Sequence, residues 1–257
     1  ITLVMAYESA GNIFFSESTD GIVWSDEELI SDGLGNARDP SVEYFLHPSD
    51  GESGAFVIWE ESAGGGNGYR ILLRSKEPAV EGWTGIRIIH IDPSRRPSRA
   101  TPVISADLTA WKGPDGIMLR DLADAESDAV SGTDAASEGP VLDYYSRPEG
   151  KFALSWIQPG TGVLWRLGTF PGPIWSPPRS AAPSPPGEPV SGADIALNAT
   201  GSGCIAWTVP EPGGWTIRYR LFDQSDAMQT VSRLSQCPIP GGEARVPMLE
   251  HHRQDPG

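Results

Sequence analysis

Charged residues lie next to proline where several short apolar segments begin, and they are the residues best placed to carry chemistry. The sequence reads Arg38-Asp39-Pro40 at one such point and Glu138-Gly139-Pro140 at another. Comparable positions hold Arg99, Asp194, Glu243 and Arg245. Carboxylates and guanidinium groups at neighbouring strand starts would form a polar site suited to the hydroxyl groups of a glycan. Any polar rim has the same composition, so both interpretations stay open.

Other residue sets that carry chemistry are nearly absent. The four histidines are scattered, and only His251 and His252 adjoin, where a strand would point them to opposite faces, so no metal site is predicted. The sequence has no P-loop, dinucleotide fingerprint, G-x-S-x-G or C-x-x-C motif. We predict no cofactor, although the acidic turns Asp50-Gly51-Glu52 and Asp115-Gly116 are of a kind that can bind calcium.

The composition excludes several classes of protein. The 257 residues carry a net charge of −15, which repels polyphosphate, so no nucleic acid is expected as a partner. No apolar run approaches the roughly 20 residues that span a bilayer, so no transmembrane segment is predicted. The 30 glycines and 24 prolines are too many for a helical bundle, and the 9 Trp, 6 Tyr and 7 Phe are too many for a disordered chain.

The elements that position the charged residues come from an internal repeat. Short apolar runs carry an aromatic residue at Tyr7, Trp59, Trp111, Trp156 and Trp207, at separations of 52, 52, 45 and 51 residues. Each run is followed, after a turn, by a second apolar run that usually carries arginine, which is typical of a β-hairpin. A strand often opened by proline precedes most copies, and a looser segment follows. Four short strands in some 50 residues are the size of a propeller blade.

The repeat therefore predicts one all-β domain over residues 1–257, a five-bladed β-propeller with four-stranded antiparallel blades. The first copy lacks its upstream strand, so we expect the C-terminal strand to join blade 1 and close the propeller. The predicted blades are blade 1 at 1–32 plus 245–250, blade 2 at 38–92, blade 3 at 99–135, blade 4 at 138–180 and blade 5 at 190–236. In this arrangement the charged strand starts surround the mouth of a central channel.

Two irregular segments interrupt the pattern without ending it. Residues 123–137 are small and polar, and they form either a degraded outer strand of blade 3 or a mobile loop. Residues 177–192 are rich in proline and predict an extended connection between blades 4 and 5.

The repeated aromatic residues are expected to pack in the core. One tryptophan at the same point of each blade, as at Trp59, Trp111, Trp156 and Trp207, is more economically explained by packing than by sugar stacking. Better candidates for exposed stacking, although packing is again favoured, are Trp24, Trp83, Trp165, Trp175 and Trp215.

The two cysteines are predicted to be free thiols. Cys204 starts the second strand of blade 5 and Cys237 follows its fourth strand, so they should lie too far apart for a disulfide, which needs Cα atoms within about 7 Å.

A family resemblance enters at residues 18–24, which read S-T-D-G-I-V-W. The segment resembles a shortened Asp-box of sialidase-like (BNR-repeat) propellers, with Ser18, Asp20, Gly21 and Trp24 at its marked positions. The aspartate can accept backbone N–H groups of its own turn, glycine allows positive φ, and tryptophan packs the turn on the blade. The resemblance implies a structural device on the face away from a binding site. The R-I-P motif of catalytic sialidases is absent, so no sialidase residues are assigned.

A weaker resemblance is to five-bladed glycoside hydrolases of the arabinanase and fructosidase type. Those enzymes place carboxylates at inner-strand starts within R-D-P and E-G-P, as at Asp39 and Glu138 here. The resemblance implies that Glu138 is a general acid with its pKa raised by burial and that Asp39 is a stabiliser or base. Asp194 and Glu243 are candidate partner carboxylates. Proline is, however, a general feature of these strand starts, so both motifs also follow from the repeat itself.

Three functions remain open at the level of sequence. The leading hypothesis is a non-catalytic, sialidase-like propeller that binds a glycan or a protein partner at the channel mouth through Arg38, Arg99, Asp194, Glu243 and Arg245. The alternatives are a glycoside hydrolase that uses Glu138 and Asp39, and a structural subunit of a larger extracellular assembly. We expect an extracellular, periplasmic or cell-surface location.

Overall fold

The computed structural model describes strands and tight turns along most of the chain. The described residues are 2–34, 36–46, 53–62, 68–77, 82–93, 100–105, 107–123, 126–145, 150–169, 174–183, 190–198, 200–211, 214–223 and 232–237. These residues include no helix, and so none of the length and hydrophobicity needed to cross a bilayer. The contacts divide the chain into two compact units, Ile1–Val130 and Ser131–Gly257.

The first unit contains three antiparallel sheets, each made of strands that follow one another along the chain. Blade 1 consists of β1 (Leu3–Ser9), β2 (Asn12–Ser18) and β3 (Glu28–Leu29). Blade 2 consists of β4 (Ala37–Leu46), β5 (Ser53–Ser62), β6 (Tyr69–Lys76) and β7 (Arg87–Asp92). Blade 3 consists of β8 (Val103–Ser105), β9 (Leu108–Gly113), β10 (Gly116–Asp121) and β11 (Asp128–Ala129).

The second unit contains two further sheets of the same kind. Blade 4 consists of β12 (Glu138–Tyr145), β13 (Lys151–Gln158), β14 (Gly162–Thr169), β15 (Ile174–Trp175) and β16 (Arg179–Pro183). Blade 5 consists of β17 (Ser191–Leu197), β18 (Gly203–Glu211), β19 (Gly214–Phe222) and β20 (Ser232–Cys237). The all-β, five-bladed β-propeller fold predicted from the repeat is confirmed.

Three details of the blades refine the predictions. Blade 1 has three strands among the described residues, and the segment 245–250 predicted to complete it lies outside them. The polar segment 123–137 contains the outer strand β11, as the degraded-strand alternative predicted. The segment 177–192 is more than a connection, because β16 pairs with β14 and continues the outer edge that β15 begins.

The repeated aromatic residues hold the same register in every blade. Four of the five are completely or almost completely buried, namely Trp59, Trp111, Trp156 and Trp207. Apolar side chains of adjacent blades pack around these positions, for example Ile13 and Phe15 of blade 1 against Val57 of blade 2. For Trp165, packing, which was the favoured interpretation, is confirmed. Trp165, a candidate for exposed stacking, is fully buried with its ring centroid 4.3 Å from that of Phe222.

Arginines on the third strands connect successive parts of the fold. In blades 2 to 5, each repeated tryptophan lies opposite a residue of the third strand, and two positions after that residue the third strand carries an arginine. We call these residues the third-strand arginines: Arg74, Arg120, Arg166 and Arg220. Each donates to a backbone carbonyl that lies earlier in the chain, the acceptors being Ile30, Ile89, Ser131 and Ala181 respectively. Blade 1 carries Ser16 at this position.

A Trp-Ser or Trp-Thr pair starts the outer edge of three blades. The hydroxyl of Thr84 accepts the N–H of Ser75 at 3.1 Å, while the N–H of Thr84 donates to the carbonyl of Ser75 at 2.8 Å. Ser25 repeats this double contact with Glu17, and Ser176 repeats it with Leu167. The side-chain oxygen thus takes the place of a backbone carbonyl and ties the outer edge to the third strand where the regular ladder is interrupted.

The strand register separates the two cysteines. Cys204 lies opposite Leu221 on β19, whereas Cys237 lies opposite Trp215, six residues away. Six residues of strand span roughly 20 Å, well beyond the reach of a disulfide. Cys204 is a free thiol, as predicted, and burial raises the pKa of that thiol.

Candidate functional site

The predicted site residues lie at a β-bulge that recurs at the starts of the inner strands. The register shifts between Arg38 and Ser41 in blade 2 and between Glu138 and Val141 in blade 4. The bulged residues have left-handed φ values of 53° at Asp39 and 54° at Gly139. Blade 5 has the same bulge at Gly192, and blade 3 has a left-handed Thr101 before Pro102.

The bulges of blades 2 and 4 are equivalent, so the positions of Asp39 and Glu138 can be compared. The two acids, which the glycosidase resemblance assigns to one catalytic site, occupy different positions of the repeat. Asp39 occupies the bulge position, which Gly139 takes in blade 4, and Glu138 occupies the position that Arg38 takes in blade 2. The acid-proline motifs therefore share a backbone shape but do not place their carboxylates at the same point. Asp39 lies in the first compact unit and Glu138 in the second.

Blade 2 holds Arg38 in a buried ion pair that the sequence did not reveal. The Arg38 guanidinium donates to Glu60 Oε1 from Nη2 at 2.7 Å and from Nε at 3.2 Å. Glu60 is completely buried, and its Oε2 accepts the backbone N–H of Ala100 at 2.7 Å. Because the acid is fixed at both oxygens, Arg38 is held at the strand start with 29% of its side chain exposed. The Asp39 carboxylate lies 3.9 Å from Arg38 Nε and is 8% exposed.

A second buried acid lies directly beside the first. Glu61 accepts the indole N–H of Trp59 at 3.0 Å and the Arg70 guanidinium at 2.6 Å. From the sequence, the apolar run that ends at Trp59-Glu60-Glu61 predicts only a strand. The sequence contains one signal of this site, since two acids follow a core tryptophan with no turn between them. Acids inside a buried strand must have hydrogen-bond or ion-pair partners, because an unpaired buried carboxylate is strongly destabilising.

The second unit arranges its predicted residues differently. Glu138 is exposed, which is not the buried setting that the glycosidase resemblance implies for a general acid. Asp194 does not begin its strand but lies beyond the bulge, opposite Ala206, and its Oδ1 accepts the N–H of Ile195 at 2.9 Å. The residues Arg99, Glu243 and Arg245 lie outside the described part of the chain.

A turn before Glu138 is rigidly hydrogen bonded. Asp134 accepts Gln158 Nε2 at 3.1 Å and the N–H groups of Ala136 and Ser137 at 2.8 and 3.2 Å. These donors lower the pKa of the Asp134 carboxyl, with Gln158 as the largest cause. The network fixes the entry to β12 but leaves Glu138 itself at the surface.

The turn at residues 18–24 has the hydrogen bonds expected from its sequence. Asp20 Oδ1 accepts the N–H groups of Ile22 and Val23 at 2.8 and 2.9 Å and the Ser18 hydroxyl at 3.1 Å. Gly21 has a φ of 73°, and a Cβ there would lie 3.1 Å from Leu3. Trp24 is still 36% exposed, so it packs on the blade only in part.

This turn gives a direct prediction for the titration of Asp20. The N–H donors of Val23 and Ile22 and the Ser18 hydroxyl hold the pKa of Asp20 below its ordinary value. The lowered pKa means that the turn is stabilised above the ordinary carboxyl pKa and loses this contribution as the pH falls through the lowered value. We expect carbon-detected NMR to show a titration midpoint below that of an exposed aspartate. Ser18→Ala should raise the midpoint, and an unshifted Asp20 would contradict the assignment.

The described residues hold no metal centre, and one described cleft lies away from the predicted site residues. Within the described ranges, no group of three or more His, Cys, Asp or Glu side chains could hold a metal ion. His90 packs between Tyr69 and Trp111, and burial lowers its pKa. A cleft of about 540 Å³ lies in the first unit between β7 and β10, and its lining includes Ile88 and Met118 but none of the predicted site residues.

The five antiparallel blades, the repeated bulge and the tryptophan core define a five-bladed β-propeller. No protein-family model and no curated protein matches the chain. The chain is similar to the NanB sialidase of Streptococcus pneumoniae, solved in complex with 2-[(3-chlorobenzyl)ammonio]ethanesulfonate, with a TM-score of 0.53 and 12% identity over 76% of this chain and 32% of that one. The chain thus spans about a third of that sialidase's length, and the likeness shows the shared fold.

A second solved structure is also similar to the chain. It is an N-acetylgalactosamine deacetylase from F. plautii in complex with blood group B trisaccharide, with a TM-score of 0.40 and 12% identity over 93% of this chain and 85% of that one.

Proposed function

We propose that this protein is a non-catalytic, carbohydrate-binding propeller that holds its ligand at the inner-strand start of blade 2. The observation that carries the proposal is the Arg38–Glu60 pair, which orients a partly exposed guanidinium beside the Asp39 carboxylate. A planar donor and an acceptor fixed side by side suit the vicinal hydroxyl groups of a sugar, and little side-chain entropy is lost on binding. The sialidase that shares the fold acts on carbohydrate, which agrees with this class of ligand.

Hydrolysis is less well supported than binding. The two candidate catalytic acids occupy different positions of the repeat, and Glu138 is exposed. The R-D-P and E-G-P motifs coincide with the bulge, whose left-handed residue precedes proline in blades 2 and 4. We also propose an extracellular or cell-surface location, where a glycan-binding propeller would meet its ligand.

A glycan array followed by isothermal titration calorimetry tests the proposal. The full chain is screened against a panel that includes sialylated, arabino- and fructo-oligosaccharides, and the best ligand is titrated. We expect Asp39→Asn and Arg38→Gln each to weaken binding at least about tenfold, the loss of a hot-spot contact. Asparagine tolerates the left-handed backbone of residue 39, so Asp39→Asn separates lost binding from lost folding.

The matched control is Arg70→Gln. It breaks an ion pair to a buried glutamate in the same sheet, but on the third strand rather than the inner one. We expect this variant to bind within about twofold of the parent protein. Unchanged binding by Asp39→Asn would refute the proposed site, and turnover of an oligosaccharide that Glu138→Gln abolishes would favour the hydrolase instead.

A further inference from the structure

The turn between β2 and β3 exposes three consecutive apolar residues. Ile22, Val23 and Trp24 are 83%, 70% and 36% exposed, and we call them the apolar tip. Single exposed apolar side chains are common on protein surfaces, but a contiguous group of large ones marks an interaction site. The apolar tip lies at the end of blade 1 where Leu3 pairs with Ser18. The opposite end of this blade contacts the start of β4, since Gly11 accepts the N–H of Ala37.

The apolar tip is fixed rather than collapsed against the blade. Two N–H groups of the tip are bound by Asp20, and the Val23 carbonyl accepts the Ser18 hydroxyl at 2.6 Å. On the far side, the N–H of Ser25 donates to the Glu17 carbonyl at 2.8 Å. The backbone is therefore held on both sides of the exposed residues. A preformed apolar surface loses little conformational entropy when it docks.

The segment of chain that carries the apolar tip has charged side chains of one sign only. Residues 1–37 contain seven acids and no lysine, arginine or histidine, so they hold nearly half of the net charge of −15. Asp26 and Glu27 lie just after the tip, beyond Ser25, and are exposed. From blade 2, Lys76 contacts two of these acids, Glu17 at 3.5 Å and Glu28 at 3.2 Å.

This charge decides between the partners that an apolar surface could have. An anionic membrane would be repelled, and a second copy of the chain would bring two strongly acidic blades together. A surface that is apolar at its centre and basic at its border complements both features. We propose that the apolar tip docks onto a protein segment whose apolar surface is bordered by lysine or arginine side chains. This interface is separate from the proposed carbohydrate site and does not depend on it.

Surface plasmon resonance with defined peptides tests this interface. The probe is an immobilised amphipathic helical peptide of leucine and lysine, compared with oligolysine and with a leucine–glutamate peptide of the same length. We expect the full chain to bind the leucine–lysine peptide at least about tenfold more tightly than either of the others. Binding should weaken with salt because part of it is electrostatic.

Two variants and two matched controls locate the contact. Ile22→Ser with Val23→Ser should reduce affinity at least about tenfold, and Asp26→Asn with Glu27→Gln should reduce both affinity and salt dependence. Leu34→Ser removes an equally exposed apolar side chain from blade 1 beyond the tip, and Glu126→Gln with Asp128→Asn removes two exposed charges from blade 3. Both controls should bind within about twofold of the parent chain.

The proposal is overturned by any of four results. These are equal binding to oligolysine, unchanged binding by the Ile22/Val23 variant, tip-dependent binding to zwitterionic lipid vesicles, and tip-dependent self-association in the ultracentrifuge. The substituted residues are exposed, so circular dichroism should show an unchanged fold and leave each result interpretable.

Discussion

Replacing Glu60 by leucine should lower the free energy of unfolding by about 3–5 kcal/mol. Glu60 is completely buried and accepts hydrogen bonds from Arg38 and from the N–H of Ala100. Leucine has a similar volume, so the loss comes from removing the carboxylate that Arg38 and the buried Ala100 N–H donate to, rather than from a cavity. Urea-induced unfolding, followed by both tryptophan fluorescence and circular dichroism, measures the change and tests whether the transition is two-state.

A double variant identifies the cause of that loss. Arg38→Met in the Glu60→Leu background removes the guanidinium that has lost its Glu60 acceptor, so it should recover part of the lost stability. Glu17→Gln changes a glutamate that is 42% exposed and should cost no more than about 1 kcal/mol. If Glu60→Leu stays within about 1 kcal/mol of the parent protein, the buried pair does not stabilise the blade as described.

Replacing Arg166 by methionine should also destabilise the protein, by at least about 3 kcal/mol. The side chain is 4% exposed and donates from Nε to the Ser176 carbonyl at 3.0 Å and from Nη1 to the Ser131 carbonyl and hydroxyl. Its guanidinium also stacks 4.7 Å from the ring centroid of Trp175. Methionine keeps the apolar stem but leaves these acceptors without their donor.

Lysine at the same position distinguishes geometry from charge. A single ammonium cannot reach the carbonyls of both Ser176 and Ser131. We therefore expect Arg166→Lys to retain less than half of the unfolding free energy that Arg166→Met loses. Lys76→Met, which breaks ion pairs to two exposed glutamates, is the control and should cost about 1 kcal/mol or less. Full stability of the lysine variant would show that charge alone is sufficient. Thermal or urea unfolding gives the comparison.

The fold was predictable because one aromatic residue at a repeated position marks each blade. Four of the tryptophans that set the repeat are buried, and their strand partners are equivalent from blade to blade. The regular arginine on the following strand was visible too, but its role was not. The carbonyl that each arginine binds lies about 30 to 45 residues earlier in the chain, and no local pattern connects the two.

The candidate site was predictable only in outline. Proline marked the strand starts in three blades and located Arg38, Asp39 and Glu138. The bulge adds one residue to the inner strand, so two acids that both precede a proline fall at different points of the repeat. In blade 5 Ala193 replaces the proline, and without that marker Asp194 was placed too early. The buried acids Glu60 and Glu61 were missed because their arginine partners, Arg38 and Arg70, come from other strands.

The hydrogen bonds of the third-strand arginines all run in the same direction along the chain, and this order matters during synthesis. In each pair the carbonyl precedes its arginine, the pairs being Ile30 with Arg74, Ile89 with Arg120, Ser131 with Arg166 and Ala181 with Arg220. During synthesis from the N-terminus, the acceptor has therefore already left the ribosome when its donor emerges. Each new hairpin can fasten at once to chain that is already present, so assembly can follow translation without waiting for the C-terminus.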